Sequence, residues 1–211
     1  MTNLTSLSLT GIEIKLITFF IGNITGKFGI REISRKIKID YKLVHTAVQK
    51  LVKKDVLIKQ RQANLDLCRL NFSVDPHYVL YCEMLKTKAF LGQHKDLREF
   101  FGNLHDNVKN IYYTLAIFGS FAKGHENKNS DLDLLIIAGN KETAEDINRT
   151  INSESIILKR KIHIIAISED DFIKNLGDKK LNVIAECFKS HIIITGAEAF
   201  YNGARKVFGE N

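Results

Sequence analysis

The chain has 211 residues and a mass of 24.0 kDa, with 31 Lys and Arg against 24 Asp and Glu, a formal charge of +7. That length makes one large domain or two small ones. A chain of this size buries about 70% of its unfolded surface, so it needs no disulfide or metal to hold a core. With 45% apolar and 26% charged residues it is also excluded from wholesale disorder.

The first apolar stripe is Ile12, Leu16, Phe19 and Phe20, spaced as on one face of a helix, and Gly22, Gly26 and Gly29 end it. The spacing predicts a short helix over Ile30–Ile37, with Ile30, Ile33 and Ile37 inward and Arg31, Arg35 and Lys36 outward. Asp40 is a good N-cap for a third helix, Tyr41–Lys54, whose inward residues are Leu43, Ala47 and Leu51 with Val44 and Val48 beside them. Its other face presents Lys42, His45, Thr46, Gln49, Lys50 and Lys53. Two strands follow near Val56–Arg61 and Leu65–Phe72, joined by Gln62-Ala63-Asn64, with Cys68, Leu70 and Phe72 alternating against Arg69 and Asn71.

Three helices and a basic hairpin, carried by IREISRKIKIDYKLVHTAVQKLVKKDVLIKQ, resemble a winged helix-turn-helix domain of the bacterial and archaeal regulators. Charge agrees with this: residues 1–73 hold 13 Lys and Arg against 5 Asp and Glu, whereas 74–110 are neutral and 111–211 carry −1. A helix face of Lys, His, Thr and Gln suits base edges in the major groove of double-stranded DNA. Tyr41 and Lys42 occupy its first turn, and Lys59 and Arg61 on the wing would meet phosphate. The other use of such a module is protein docking or a homodimer contact.

Asp75-Pro76 starts a connector helix that should stop at Gly92, after Leu91. A further helix then shows Leu97, Phe100, Phe101, Leu104, Val108 and Ile111 on a face that must pack, most simply on a following sheet. Arg98 and His105 match the loose Arg-x6-His spacing of HEPN-type ribonucleases, but two helices are too few for that bundle. His45, His77, His94 and His105 show no zinc-ligand spacing.

Next come an apolar strand, Leu115–Phe118, the pair Gly119-Ser120, ten residues, and Asp131-Leu132-Asp133 leading Leu134–Ile137. On a strand Asp131 and Asp133 share a face, about 7 Å apart, where a hard divalent cation stabilises them. The Gly-Ser turn offers backbone N–H groups and a hydroxyl to a triphosphate. IFGSFAKGHENKNSDLDLLII resembles the signature of the DNA polymerase β-type nucleotidyltransferases, closest in size to their minimal branch, over roughly residues 93–211.

The resemblance implies Mg²⁺ (or Mn²⁺) held by Asp131 and Asp133, which would be the catalytic residues. It also implies an NTP whose phosphates meet Gly119, Ser120 and Lys123, and transfer of its nucleotidyl group to a hydroxyl. Ser130 is read as a turn cap. Active relatives add a third carboxylate on a neighbouring strand. Here that strand, Lys161–Ile167, has none, and His163 takes the place. Glu169, Asp170 and Asp171 after Ser168 have the pattern of a helix start, and Glu154 is unassigned. A helix through Leu181, Ile184, Ala185 and Phe188, a strand His191–Thr195 and a helix from Gly196 to about Phe208 complete the chain.

The expected architecture is therefore α/β (α+β): a winged helix-turn-helix over 1–73, a connector helix over 74–92, and a mixed-sheet minimal nucleotidyltransferase over 93–211. Two functions follow. One is a DNA-bound enzyme acting on a small molecule, an RNA end or a protein such as a partner toxin. The other is a catalytically degenerate transcriptional regulator that senses nucleotide. No apolar run nears the ~20 residues of a bilayer span. The first ten residues lack Lys and Arg, and three scattered cysteines (Cys68, Cys82, Cys187) fit neither a disulfide framework nor a zinc ribbon, so a cytoplasmic protein is expected.

Overall fold

A computed structural model describes residues 8–62, 65–73, 76–108, 112–158, 160–178, 180 and 182–209. The chain divides into two compact units, one running to Cys82 and the other from Glu83 to Gly209. Among the described residues no helix is long and apolar enough to cross a membrane.

In the first unit, helix α1 (Gly11–Ile21) opens on a capping box. The Thr10 hydroxyl accepts from the Glu13 backbone N–H, and the Glu13 carboxylate accepts from that of Thr10. Its buried face is Leu16, Ile17, Phe20 and Ile21, so the apolar stripe is rotated away from Ile12 and Phe19, which are half-buried. Glu13 is buried too. Burial alone would raise its carboxyl, but the Thr10 N–H and Lys54, 3.0 Å away, hold it below its ordinary value.

Strand β1 (Phe28–Gly29) has no signature in the sequence; it exists because it pairs with a later strand. Helix α2 (Ile30–Ile37) follows as expected, with Ile30 and Ile33 buried. Helix α3 (Tyr41–Lys53) starts where Asp40 accepts from the Lys42 N–H at 2.8 Å. Val44, Ala47, Val48 and Leu51 form its buried i, i+3, i+4, i+7 stripe. Leu43, expected to face inward, lies beyond the edge of that stripe and is 52% exposed. Strands β2 (Leu57–Gln62) and β3 (Leu65–Leu70) form an antiparallel hairpin, with β3 central in the order β1-β3-β2. Cys68, Leu70 and Phe72 are buried as the alternation requires. Ala63 and Asn64 at the expected tip lie outside the described residues.

Helix α4 (His77–Gln93) runs through Gly92 instead of stopping there. A lone glycine costs a helix about 1 kcal/mol, and Gly92 has no left-handed conformation to terminate it. Asp75, its expected cap, and Ile111 lie outside the described residues. Helix α5 (Lys95–Asn107) follows directly from His94.

Strand β4 (Tyr113–Phe118) turns through the five-residue α6 (Gly119–Lys123) and returns antiparallel as β5 (Leu132–Ala138). Residues 141–154, unassigned by the sequence reading, form α7 (Lys141–Glu154), capped by Asn140 and burying Ala144, Ile147 and Ile151. It crosses to β6 (Ile162–Ser168), which lies parallel to β5. Helices α8 (Glu169–Gly177) and α9 (Val183–Lys189), strand β7 (Ile192–Thr195) and helix α10 (Ala197–Phe208) complete the unit. Ser168 caps α8 by accepting from the Asp171 N–H, so the three acids after it are first-turn residues. Leu181, read as part of the α9 stripe, lies outside the described residues.

The sheet order is β6-β5-β4-β7, with β7 antiparallel to β4. Leu132, Leu134 and Ile136 of β5 and Leu115 and Ile117 of β4 pack with Leu97, Phe100, Phe101 and Leu104 of α5 and with the buried face of α7. Each such side chain stabilises the fold by about 1.5–3 kcal/mol. The period of two sends Asp133, Leu135 and Ile137 to the opposite face. Helices α8 and α10 contact the strands there, and the rings of Phe172, Phe188, Phe200 and Phe208 meet at centroid distances of 5.4–5.5 Å.

A buried ionic cluster fastens α4 to this core. The Glu83 carboxylate, 1% exposed, accepts from Tyr201 Oη at 2.7 Å and faces His191 Nε2 at 2.8 Å. The other ring nitrogen of His191 is 2.9 Å from the Phe188 carbonyl oxygen, and Thr87 donates to the Ile193 carbonyl at 2.7 Å. Burial alone would raise the Glu83 carboxyl, but the His191 charge and hydrogen bond, Lys86 and the Tyr201 hydroxyl together hold it at about 2.

Candidate functional site

The candidate site lies where β4 ends and β5 and β6 begin. Phe118 pairs with Asp133 across the antiparallel β4–β5 ladder, and Asp133 pairs with His163 across the parallel β5–β6 ladder. The ladders therefore set Phe118, Asp133 and His163 in one row, and Gly119 begins the turn directly after Phe118. Gly119 adopts φ +69, and a Cβ there would run into Oδ2 of Asp133 and stand 2.9 Å from its Cγ. The position requires glycine on both counts: a left-handed turn and a close approach.

Helix α6 is anchored by Phe121, which is buried. Its ring lies near those of Phe90 and His94, at centroid distances of 6.4 and 5.6 Å. The Arg160 guanidinium sits 5.1 Å from the same ring and 2.7 Å from Asp96. His94 also meets Glu126, in the loop after α6, at 3.4 Å. That loop closes on Ser130, whose hydroxyl accepts from the Asn127 N–H at 2.9 Å, so Ser130 is a turn cap. Asp131 follows at once and Leu132 enters the core.

Asp131 and Asp133 come together with His163. Nδ1 of the imidazole is 3.4 Å from Asp133 Oδ1, and Nε2 is 3.9 Å from Asp131 Oδ2. The side chains of Asp133, Asp131 and His163 are 25%, 38% and 63% exposed, so the pair opens to solvent under the ring. The side chain across from Asp133 is thus an imidazole and not a carboxylate. Among the described residues no three His, Cys, Asp or Glu side chains converge as a metal-ligand group. The donors fit one divalent cation shared with a bound phosphate, since two carboxylates suffice for that.

Ser120 is half-buried and Lys123 exposed in α6. Helix α9 lies close enough that the charge of Asp133 adds to burial in pushing the Cys187 thiol up to about 12, and the Glu186 carboxyl is lowered by Lys189 first and to a smaller extent by Lys123. Neither neighbour is signalled by a sequence motif. A separate cleft of about 390 Å³, lined by Tyr113, Thr114, Ala138, Glu169, Thr195 and Glu198, opens at the other end of β4 and β5. It lies roughly 17 Å along the sheet from Asp133, at about 3.3 Å per residue, and takes no part in the carboxylate site.

A glycine turn, a carboxylate pair and a mixed four-stranded sheet are consistent with a nucleotidyltransferase fold. Residues 97–198 match the family model described as Polymerase beta, Nucleotidyltransferase, which supports the nucleotidyltransferase reading of that part of the chain and suggests nucleotidyl transfer. No curated protein and no solved structure matches the chain.

The first unit carries the other predicted residues. Tyr41, Lys42, His45, Thr46, Lys50 and Lys53 are exposed along α3, and Gln49 is half-buried. The Thr46 hydroxyl donates to the Lys42 carbonyl at 3.0 Å, which commits its proton to the helix. On the hairpin Arg61 is exposed, whereas Lys59 is held 3.0 Å from Asp66 and is partly neutralised. The Arg31 guanidinium lies 6.0 Å from the Tyr41 ring, and Arg31, Ser34, Arg35 and Tyr41 line a shallow recess between α2 and α3.

Proposed function

We propose that the second unit binds a nucleoside triphosphate at the Gly119–Ser120 turn and transfers its nucleotidyl group to a hydroxyl acceptor. The observation that carries this reading is the close approach of the Gly119 turn to Asp133, the second carboxylate of the Asp131–Asp133 pair. The backbone N–H groups of the first turn of α6 and the Ser120 hydroxyl hold the β- and γ-phosphates, and Lys123 adds positive charge. Asp131 and Asp133 hold Mg²⁺ (or Mn²⁺), which neutralises the triphosphate when bound. The acceptor oxygen forms a bond to the α-phosphorus, the bond to pyrophosphate breaks, and the acceptor proton passes to solvent water. A protein hydroxyl on a partner such as a toxin is one acceptor; a small molecule or an RNA end are others.

The first unit brings this domain to double-stranded DNA. Its element order, α1-β1-α2-α3-β2-β3, and the exposed Lys42, His45, Lys50 and Lys53 support a winged helix-turn-helix with α3 in the major groove. The same module could serve a homodimer contact, and salt-insensitive DNA affinity would favour that. Three buried thiols fit a reducing compartment, the cytoplasm.

The imidazole opposite Asp133 favours a second reading, in which the domain binds nucleotide without turnover and alters DNA affinity as a transcriptional regulator. Label from α-³²P-NTP decides between them. Transfer to a partner, lost in Asp131→Asn and Asp133→Asn, supports the enzyme. Nucleotide binding that shifts DNA affinity with no transfer supports the regulator.

A further inference from the structure

We propose that His163 occupies the place of the divalent cation between Asp131 and Asp133, so that a cation binds only by displacing its ring. The inference rests on the reading of the two aspartates as a cation-binding pair. Of the two oxygens of Asp133, Oδ2 lies against Gly119, and Oδ1 faces His163. Asp131 likewise turns Oδ2 toward His163. The two oxygens that would share a cation are therefore the two that the imidazole nitrogens face, at 3.4 and 3.9 Å. A bound cation would need these oxygens at about 2.0–2.6 Å, closer than either ring nitrogen now stands to them.

The ring does not have the posture of a ligand. A metal-bound histidine gives one nitrogen to the ion and donates from the other to a nearby carboxylate, carbonyl or water. Here both nitrogens face carboxylates of the same pair, and among the described residues neither is turned to an acceptor outside it. The parallel register of β5 and β6 fixes the backbone of His163 opposite Asp133, so this posture follows from the fold. At 63% exposure the side chain has solvent on its free side and can rotate away without repacking the core. His163 is thus a determinant of cation affinity: its ring and the ion compete for the same two carboxylate oxygens.

Mn²⁺ binding to the full chain, read from the electron paramagnetic resonance of the free ion, tests this with and without a non-hydrolysable NTP. The proteins are wild type, His163→Ala, His163→Ser, His163→Asp and Asp133→Asn. Two small replacements at an exposed position ensure that the result does not depend on one variant folding, which circular dichroism checks. His163→Ala and His163→Ser should bind Mn²⁺ about tenfold more tightly than wild type, a difference of about 1.4 kcal/mol. His163→Asp should bind more tightly again, and Asp133→Asn should bind least. Wild type binding as tightly as His163→Ala or His163→Ser, or more so, overturns the inference alone, because the ring is then a bystander or a ligand. Binding that is unchanged in Asp133→Asn overturns the aspartate-pair reading and the inference with it.

Discussion

Gly119 and Asp133 touch across the end of the β4–β5 ladder, and no side chain fits between them. The glycine has φ +69, and a Cβ would collide with Oδ2 of the aspartate. Gly124, at the other end of α6, has φ +65 and nothing within 4 Å of where a Cβ would stand. The two glycines share a backbone requirement, and only one has a neighbour.

Gly119→Ala and Gly124→Ala should therefore each lose roughly 1–2 kcal/mol of stability from the left-handed backbone. Only Gly119→Ala should displace Asp133 and lower nucleotide affinity, by about tenfold or more. Equal nucleotide affinity in the two variants, measured by calorimetric titration, would show that the contact is incidental to binding.

Removal of Glu83 takes away the buried carboxylate that His191, Tyr201 and Lys86 face. Glu83→Ala should destabilise the second unit by about 3–5 kcal/mol, a cost typical of breaking a buried pair. The carboxyl is held at about 2 against an ordinary 4.5, so its stabilisation is complete above roughly pH 5 and is lost as pH falls toward 2. Melting curves across that range should show a steeper acid loss in wild type than in Glu83→Gln. Parallel curves would contradict the assignment.

Helix α3 offers a stability test of its orientation. Leu51 is fully buried and Leu43 is 52% exposed. Leu51→Ala should cost about 2–5 kcal/mol and Leu43→Ala under about 0.5 kcal/mol by urea denaturation. A large loss at Leu43 would mean that the helix is rotated from the described position.

Much of this was legible in the sequence because it is local. Asp40 and Ser168 as caps, Ile30–Ile37 as a helix and the alternation Leu132/Leu134 against Asp131/Asp133 depend on neighbours a few residues away. What escaped depends on partners far along the chain. Strand β1 has two residues and exists through Cys68 and Leu67, and Glu83 finds His191 over 108 residues. Leu43 misled because an apolar residue next to an apolar stripe looks like part of it. At the site, the residue types were legible, and His163 was visible as the replacement for a carboxylate. Its posture across both aspartates, and the contact of Gly119 with Asp133, came only from the strand register.

The DNA reading rests on exposed cations, so its signature is the salt dependence. The affinity for duplex DNA should fall steeply with salt, and Lys50→Ala or Lys53→Ala should each reduce the log–log slope by about 0.9 if the residue neutralises one phosphate. Lys59→Ala should reduce it less, because Asp66 already pairs with that lysine. An unchanged slope in all three variants would remove α3 and the hairpin from the interface.

Equilibrium binding of a labelled NTP with Mg²⁺ to the full chain, and to Asp131→Asn and Asp133→Asn, addresses the nucleotide clamp most directly. Saturable binding to wild type that weakens by about tenfold or more in each variant, with melting temperatures unchanged, is the predicted result. Equal binding by all three proteins, or none by wild type, would contradict it.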